Sequence, residues 1–226
     1  AFADDLLLMA PSRAAMTKML EICEQYGEKL NLVFSTDPCP SKSKSNSIYM
    51  TGSLLRHMPK PVPLKLYGKD LPWVSHATHL GHEMHEDGTM DFDCKCKRGK
   101  FIENSLSMRE TFKFAKPAQV LKAVQTNCCD LYGSMLWNLY GEQAGQYYRS
   151  WSTCTKLVWD LPRSTHSFFV DNMLSCGYPS VRSQVLSRYV KFFHTLLSSP
   201  SKEEAVIARR CSQQHRAEHV EHQDRE

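Results

Sequence analysis

The stretch Phe2-Ala3-Asp4-Asp5-Leu6-Leu7-Leu8-Met9 sets two adjacent carboxylates between short apolar runs. That pattern reads as a β-hairpin, with Asp4-Asp5 at the tip and Leu6 to Met9 as the returning strand. Pro11-Ser12 then opens a helix in which Ala15, Met16, Met19, Leu20 and Cys23 form a one-sided apolar stripe, and Gly27 reads as its C-terminal cap. Leu30 to Phe34 reads as a strand and Ser47 to Met50 as a second one. Thr36 to Pro40 between them is a loop, since two Pro two apart cannot continue a ladder. Residues 53–63 carry three Pro and read as a linker. Leu64 to Tyr67 and Trp73 to Leu80 follow as short strands, with Gly68 and Gly81 at turns.

From about residue 90 the character changes to helical stripes, punctuated by Pro117, Gly133, Gly141, Gly145, Pro162, Gly177 and Pro179. Val120, Leu121, Val124 and Cys128 form one stripe. Val181, Val185, Tyr189, Phe192, Phe193 and Leu196 form another, behind Ser180 as N-cap. The expected fold class is therefore α+β: a mixed front part over residues 1–88, a helical part over 89–200, and a polar tail over 201–226.

Composition bounds the class further. Hydrophobic residues make up 42% and charged ones 23%, which is enough apolar material for a globular core. A net charge of +4 permits a nucleic-acid partner without requiring one. No apolar run is long enough to span a bilayer, so no membrane partner is expected. The nine Cys are irregularly spaced and odd in number, which reads as reduced thiols in an intracellular protein, nuclear or cytoplasmic.

The carboxylate pair carries the sharpest chemistry. Nucleotidyl transfer uses two divalent metals ~3.5–4 Å apart to clamp the attacking and leaving oxygens. Mg²⁺ prefers hard oxygen ligands of the kind Asp4 and Asp5 supply. Two neighbouring Asp cannot complete such a site, and a further carboxylate is needed. The bland alternative for an Asp-Asp dipeptide is a solvated turn.

Other residues in chain order add to the pair. Phe2-Ala3-Asp4-Asp5 resembles the aromatic-x-Asp-Asp box of reverse transcriptases. Tyr26-Gly27, then Lys29-Leu30-Asn31, then Ser41-Lys42-Ser43-Lys44 is similar to the lysine-bearing segment after that box. His79-Leu80-Gly81-His82 resembles the Leu-Gly hairpin that grips the primer. Tyr148-Arg149-Ser150-Trp151 through Val158-Trp159-Asp160-Leu161-Pro162-Arg163-Ser164-Thr165 resembles the block downstream of the polymerase core in LINE-type, non-LTR retrotransposons.

The resemblance covers roughly residues 1–200. It implies the end of a polymerase palm with a primer-grip hairpin over 1–88, then a thumb and helical extension over 89–200. It implies an RNA-directed DNA polymerase acting on RNA template, DNA primer and dNTP, with two Mg²⁺ ions, or Mn²⁺ in their place. It makes Asp4 and Asp5 metal-binding catalytic residues, Lys42 or Lys44 the lysine near the incoming triphosphate, and Leu80 and Gly81 the primer grip. The Thr36 to Pro40 insertion leaves the choice between the two lysines open.

The family's first metal-binding aspartate and its fingers have no counterpart here, and the sequence opens three residues before Asp4. The expectation is a piece of a longer polymerase, partnered by its N-terminal portion and inactive alone. The alternative is a non-catalytic nucleic-acid-binding remnant of a decayed retroelement.

Lys95, Lys97, Arg98 and Lys100 make a dense basic cluster, read either as a contact to a nucleic-acid backbone or as an ordinary solvated face. His76, His79, His82 and His85 recur every three residues, but Gly81 and strand-like flanks favour a His-rich hairpin over a zinc site. Trp137, Tyr140, Tyr147, Tyr148, Trp151 and Trp159 read as helical core more readily than as a stacking platform.

Overall fold

A computed structural model describes residues 5–37, 44–50, 59–173, 179–199, 201 and 206. Asp4, Lys42, Pro38 to Pro40, Gly177 and almost all of the tail lie outside the described residues. The chain divides into two units, Ala1–Phe92 and Asp93–Glu226. The architecture is mixed, with helices beside small antiparallel hairpins.

In the first unit, helix α1 spans Arg13–Lys29, and its N-cap Ser12 accepts a hydrogen bond from the Ala15 N–H at 3.2 Å. The expected stripe turns inward, with Leu20 buried. Gly27 does not cap this helix. It lies inside the last turns, where an added Cβ would come within 2.8 Å of both the Leu32 carbonyl oxygen and Tyr67 Oη. The helix ends instead at Asn31, in the left-handed region at φ 54. There the Leu32 N–H bonds back to the Gly27 carbonyl at 2.8 Å and the Asn31 N–H to Glu28 at 3.3 Å. This is a Schellman closure with Asn in the usual glycine position.

The strands expected over Leu6 to Met9 and Leu30 to Phe34 are not formed; those described segments are irregular. Leu30 and Asn31 are consumed by the helix end, which leaves the run too short to pair. Of the expected Ser47 to Met50 strand, a single parallel bridge from Ser47 to Trp73 survives.

Two hairpins do form. Strands β1 (Lys65–Leu66) and β2 (Lys69–Asp70) pair across Tyr67-Gly68. Strands β3 (His76–His79) and β4 (His82–His85) pair across Leu80-Gly81. All four turn residues have positive φ, the arrangement of type I′ turns, whose twist matches that of the flanking strands. Leu20, Leu64, Leu66 and Leu71 form this unit's core, with Leu8, Met16, Phe34, Tyr67 and Trp73 packed against it.

In the second unit, α2 (begun at Asp91 and ending at Thr111), α3 (Pro117–Asn127), α4 (Glu142–Val158), α5 (Ser167–Met173) and α6 (Val181–Leu197) surround a core of Phe101, Leu121, Val124, Trp137, Tyr147, Val170, Val181 and Val185. Of the expected stripes, Val120, Leu121, Val124 and Cys128 are buried; in the second, Val181 and Val185 are buried behind N-cap Ser180, while Tyr189, Phe192, Phe193 and Leu196 are half-buried. Trp137, Tyr147 and Trp151 are core residues. The Phe101 ring sits 5.4 Å from that of Tyr147 and 6.2 Å from that of Trp151.

Candidate functional site

The β3–β4 hairpin carries the four His and the Leu80-Gly81 pair. Its register pairs His76 with His85, Ala77 with Met84, Thr78 with Glu83 and His79 with His82. Directly opposed residues share a face, and faces alternate along a strand. The four His therefore form two cross-strand pairs on opposite faces. On one face the Phe92 ring lies 4.8 Å from His76 and 5.1 Å from His85, and Thr78 Oγ1 donates to Glu83 Oε2 at 3.0 Å.

His85 Nδ1 lies 3.1 Å from the Asp87 carboxylate. Partial burial opposes ionisation of Asp87. Hydrogen bonds from the Thr89 backbone N–H, His85 and the Thr89 hydroxyl outweigh it and hold the carboxyl below the usual carboxylate range.

Leu80 and Gly81 occupy the hairpin tip. Gly81 at φ 78 suits its position, but Leu80 at φ 47 is a branched side chain in the left-handed region, a cost of roughly 1–2 kcal/mol. Leu80 is 37% exposed at this tip.

Asp5 is exposed and presents a hard carboxylate donor of the kind Mg²⁺ accepts. Its neighbour Asp4 lies outside the described residues. Lys44 is exposed and Lys42 lies outside the described residues. No set of three His, Cys, Asp or Glu side chains gathers as metal ligands among the described residues.

The basic cluster divides. Lys95 and Lys100 are exposed on α2, and Arg98 is half-buried. Lys97 leaves the set of phosphate-facing candidates, because it is only 3% exposed and its charge is consumed inside the fold. Its Nζ donates to Asp93 Oδ2 at 3.1 Å and to the Tyr132 carbonyl at 2.6 Å. Asp93 Oδ2 also accepts from Trp137 Nε1 at 2.9 Å. The Asp93–Lys97 spacing of four residues on a helix was the available signal for this pair. The contribution of Trp137, far along the chain, had none.

Cys129 and Cys154 are poor nucleophiles. Burial first, then the neighbouring thiols, pushes Cys129 up to about 12, and burial pushes Cys154 up to about 11. Among the described residues no helix is long and apolar enough to cross a membrane. No family model matches the chain, and no curated protein or solved structure matches it either.

Proposed function

We propose that this chain is part of a LINE-type reverse transcriptase, in which the first unit is the end of the polymerase palm and the second a thumb-like helical extension. The support is the order of four segments: the Asp4-Asp5 box, the Lys42/Lys44 segment, the Leu80-Gly81 pair and the Tyr148 to Thr165 block. One structural observation carries most weight. Leu80, a residue ill-suited to φ 47, stands exposed at the tip of a well-formed hairpin. Backbone strain of this kind clusters at functional positions, and an apolar tip suits a grip on a primer strand.

In this reading Asp4 and Asp5 hold Mg²⁺, which supplies charge neutralisation for phosphoryl transfer, and Lys42 or Lys44 lies near the triphosphate. The pair leaves the metal site incomplete, so a further carboxylate from an N-terminal polymerase portion completes it. The exposed apolar run Leu30, Leu32 and Val33 is consistent with a surface that such a portion covers.

The test is primer extension on an RNA template with Mg²⁺. The chain alone is expected to incorporate no nucleotide. Fused behind the N-terminal portion of an active LINE-type polymerase, it is expected to extend the primer, and Asp4→Ala should abolish that extension. A soluble fusion that stays inactive, or one indifferent to Asp4→Ala, overturns the reading.

A further inference from the structure

A groove of about 240 Å³ runs along the second unit between α2 and α4. On α2 it is lined by Arg98, Phe101, Ile102, Ser105, Leu106 and Arg109. On α4 it is lined at the same relative spacing, from Gln146 and Arg149 through Thr153 and Cys154 to Leu157. Each set follows the three-and-four rhythm of one helical face. Each covers about three turns, or roughly 16 Å. The Phe101 ring, packed on Tyr147 and Trp151, forms the floor between the two helices. Ile102 and Leu106 stand 40% and 50% exposed along the rim.

The charge is one-sided. Arg98, Arg109 and Arg149 line the groove and no Asp or Glu does. Among the described residues none of the three has a carboxylate within ion-pair distance. Charge complementarity therefore favours an anionic occupant. A nucleic-acid strand fits less well than a peptide, because bases want an open aromatic face and the one lining ring, Phe101, is fully buried. The exposed contacts are aliphatic, as in grooves that receive leucine-type anchors.

We propose that this groove docks an acidic amphipathic helix of a partner protein. The helix lies between α2 and α4 as a third helix, with apolar side chains on Ile102, Leu106 and Leu157 and carboxylates on Arg98, Arg109 and Arg149. Guanidinium–carboxylate pairing fixes its register, and the apolar rim supplies the affinity. The inference is independent of any catalytic role for the chain.

The test uses the full chain and fluorescence anisotropy. The probe is a labelled helical peptide of about four turns, with Leu at helical spacing on one face and Glu elsewhere. A Lys-for-Glu counterpart and a single-stranded oligonucleotide are the comparisons. Saturable binding of the acidic peptide is expected, weakened about tenfold or more by Arg149→Glu and by Leu106→Asp, with little binding of the basic peptide. Both substituted side chains are exposed, and far-UV circular dichroism checks that each variant folds. No binding, or binding indifferent to both variants, overturns the proposal. So does an oligonucleotide that binds more tightly and is lost with the same variants, since the groove would then take nucleic acid.

Discussion

Lys97 shows how far the meaning of a residue depends on which side of a helix it occupies. In sequence it is one of four cations in a run; in the fold it is buried with Asp93, Trp137 and the Tyr132 carbonyl. Removing one member of a buried ion pair strands the other without solvent, at a cost of about 3–5 kcal/mol. Lys97→Met is therefore expected to lower the unfolding free energy measured by urea titration by that order, while Lys95→Met, on the exposed face, changes it by no more than about 0.5 kcal/mol. Adding Asp93→Asn to Lys97→Met should recover part of the loss, because the amide oxygen still accepts from Trp137 Nε1. Equal, small effects of Lys97→Met and Lys95→Met would show that the pair is not closed as described. The i,i+4 spacing made this pair legible. The depth at which it lies was not, because burial is set by Trp137 and Tyr132, which the chain brings in from beyond α3.

At the scale of elements, the sequence was most legible where a local rule sufficed. The Ser12 and Ser180 caps, the glycine turns at Gly68 and Gly81, and the α3 and α6 stripes all follow from neighbouring residues. It misled where a local rule has two solutions. Gly27 looks like the helix terminator, yet Asn31 ends α1 by the left-handed route, and Asp160 at φ 53 ends α4 in the same way, with the Leu161 N–H returning to Lys156 at 2.8 Å. Part of the downstream block that resembles a polymerase family, Trp159-Asp160-Leu161-Pro162, is thus also a helix stop followed by a residue that cannot resume the helix. The β3–β4 turn offers a test at this scale. Asn tolerates the left-handed region far better than Leu, so Leu80→Asn is expected to raise stability by about 1 kcal/mol in a thermal melt. In the polymerase fusion the same change should weaken primer extension. A variant that is destabilised instead would mean that the Leu80 side chain contributes packing that outweighs its strain.

Across the whole molecule, the switch from a mixed front to a helical back was readable, but the extent of sheet was not. Alternating apolar runs predicted several strands. Among the described residues only two hairpins form, because strand pairing depends on distant partners while helical stripes need only themselves. This asymmetry predicts how the chain opens. Every side chain less than 2% exposed among the largest buried ones, from Asp93 to Val185, belongs to the second unit. The first unit's core is four leucines that each retain some exposure, joined to strands of two to four residues. Segments with few buried apolar contacts open by local fluctuations at low free energy, and deeply packed helices only by global unfolding. Native-state hydrogen exchange on the full chain should therefore show the amides of β1–β4 and the ends of α1 exchanging well before those of α4 and the first turns of α6. Added urea should accelerate the slow set more steeply than the fast one, since its opening exposes more surface. If the hairpin amides persist as long as those flanking Tyr147 and Val185, the first unit has stabilising contacts beyond its leucine core, and the division of stability drawn here fails.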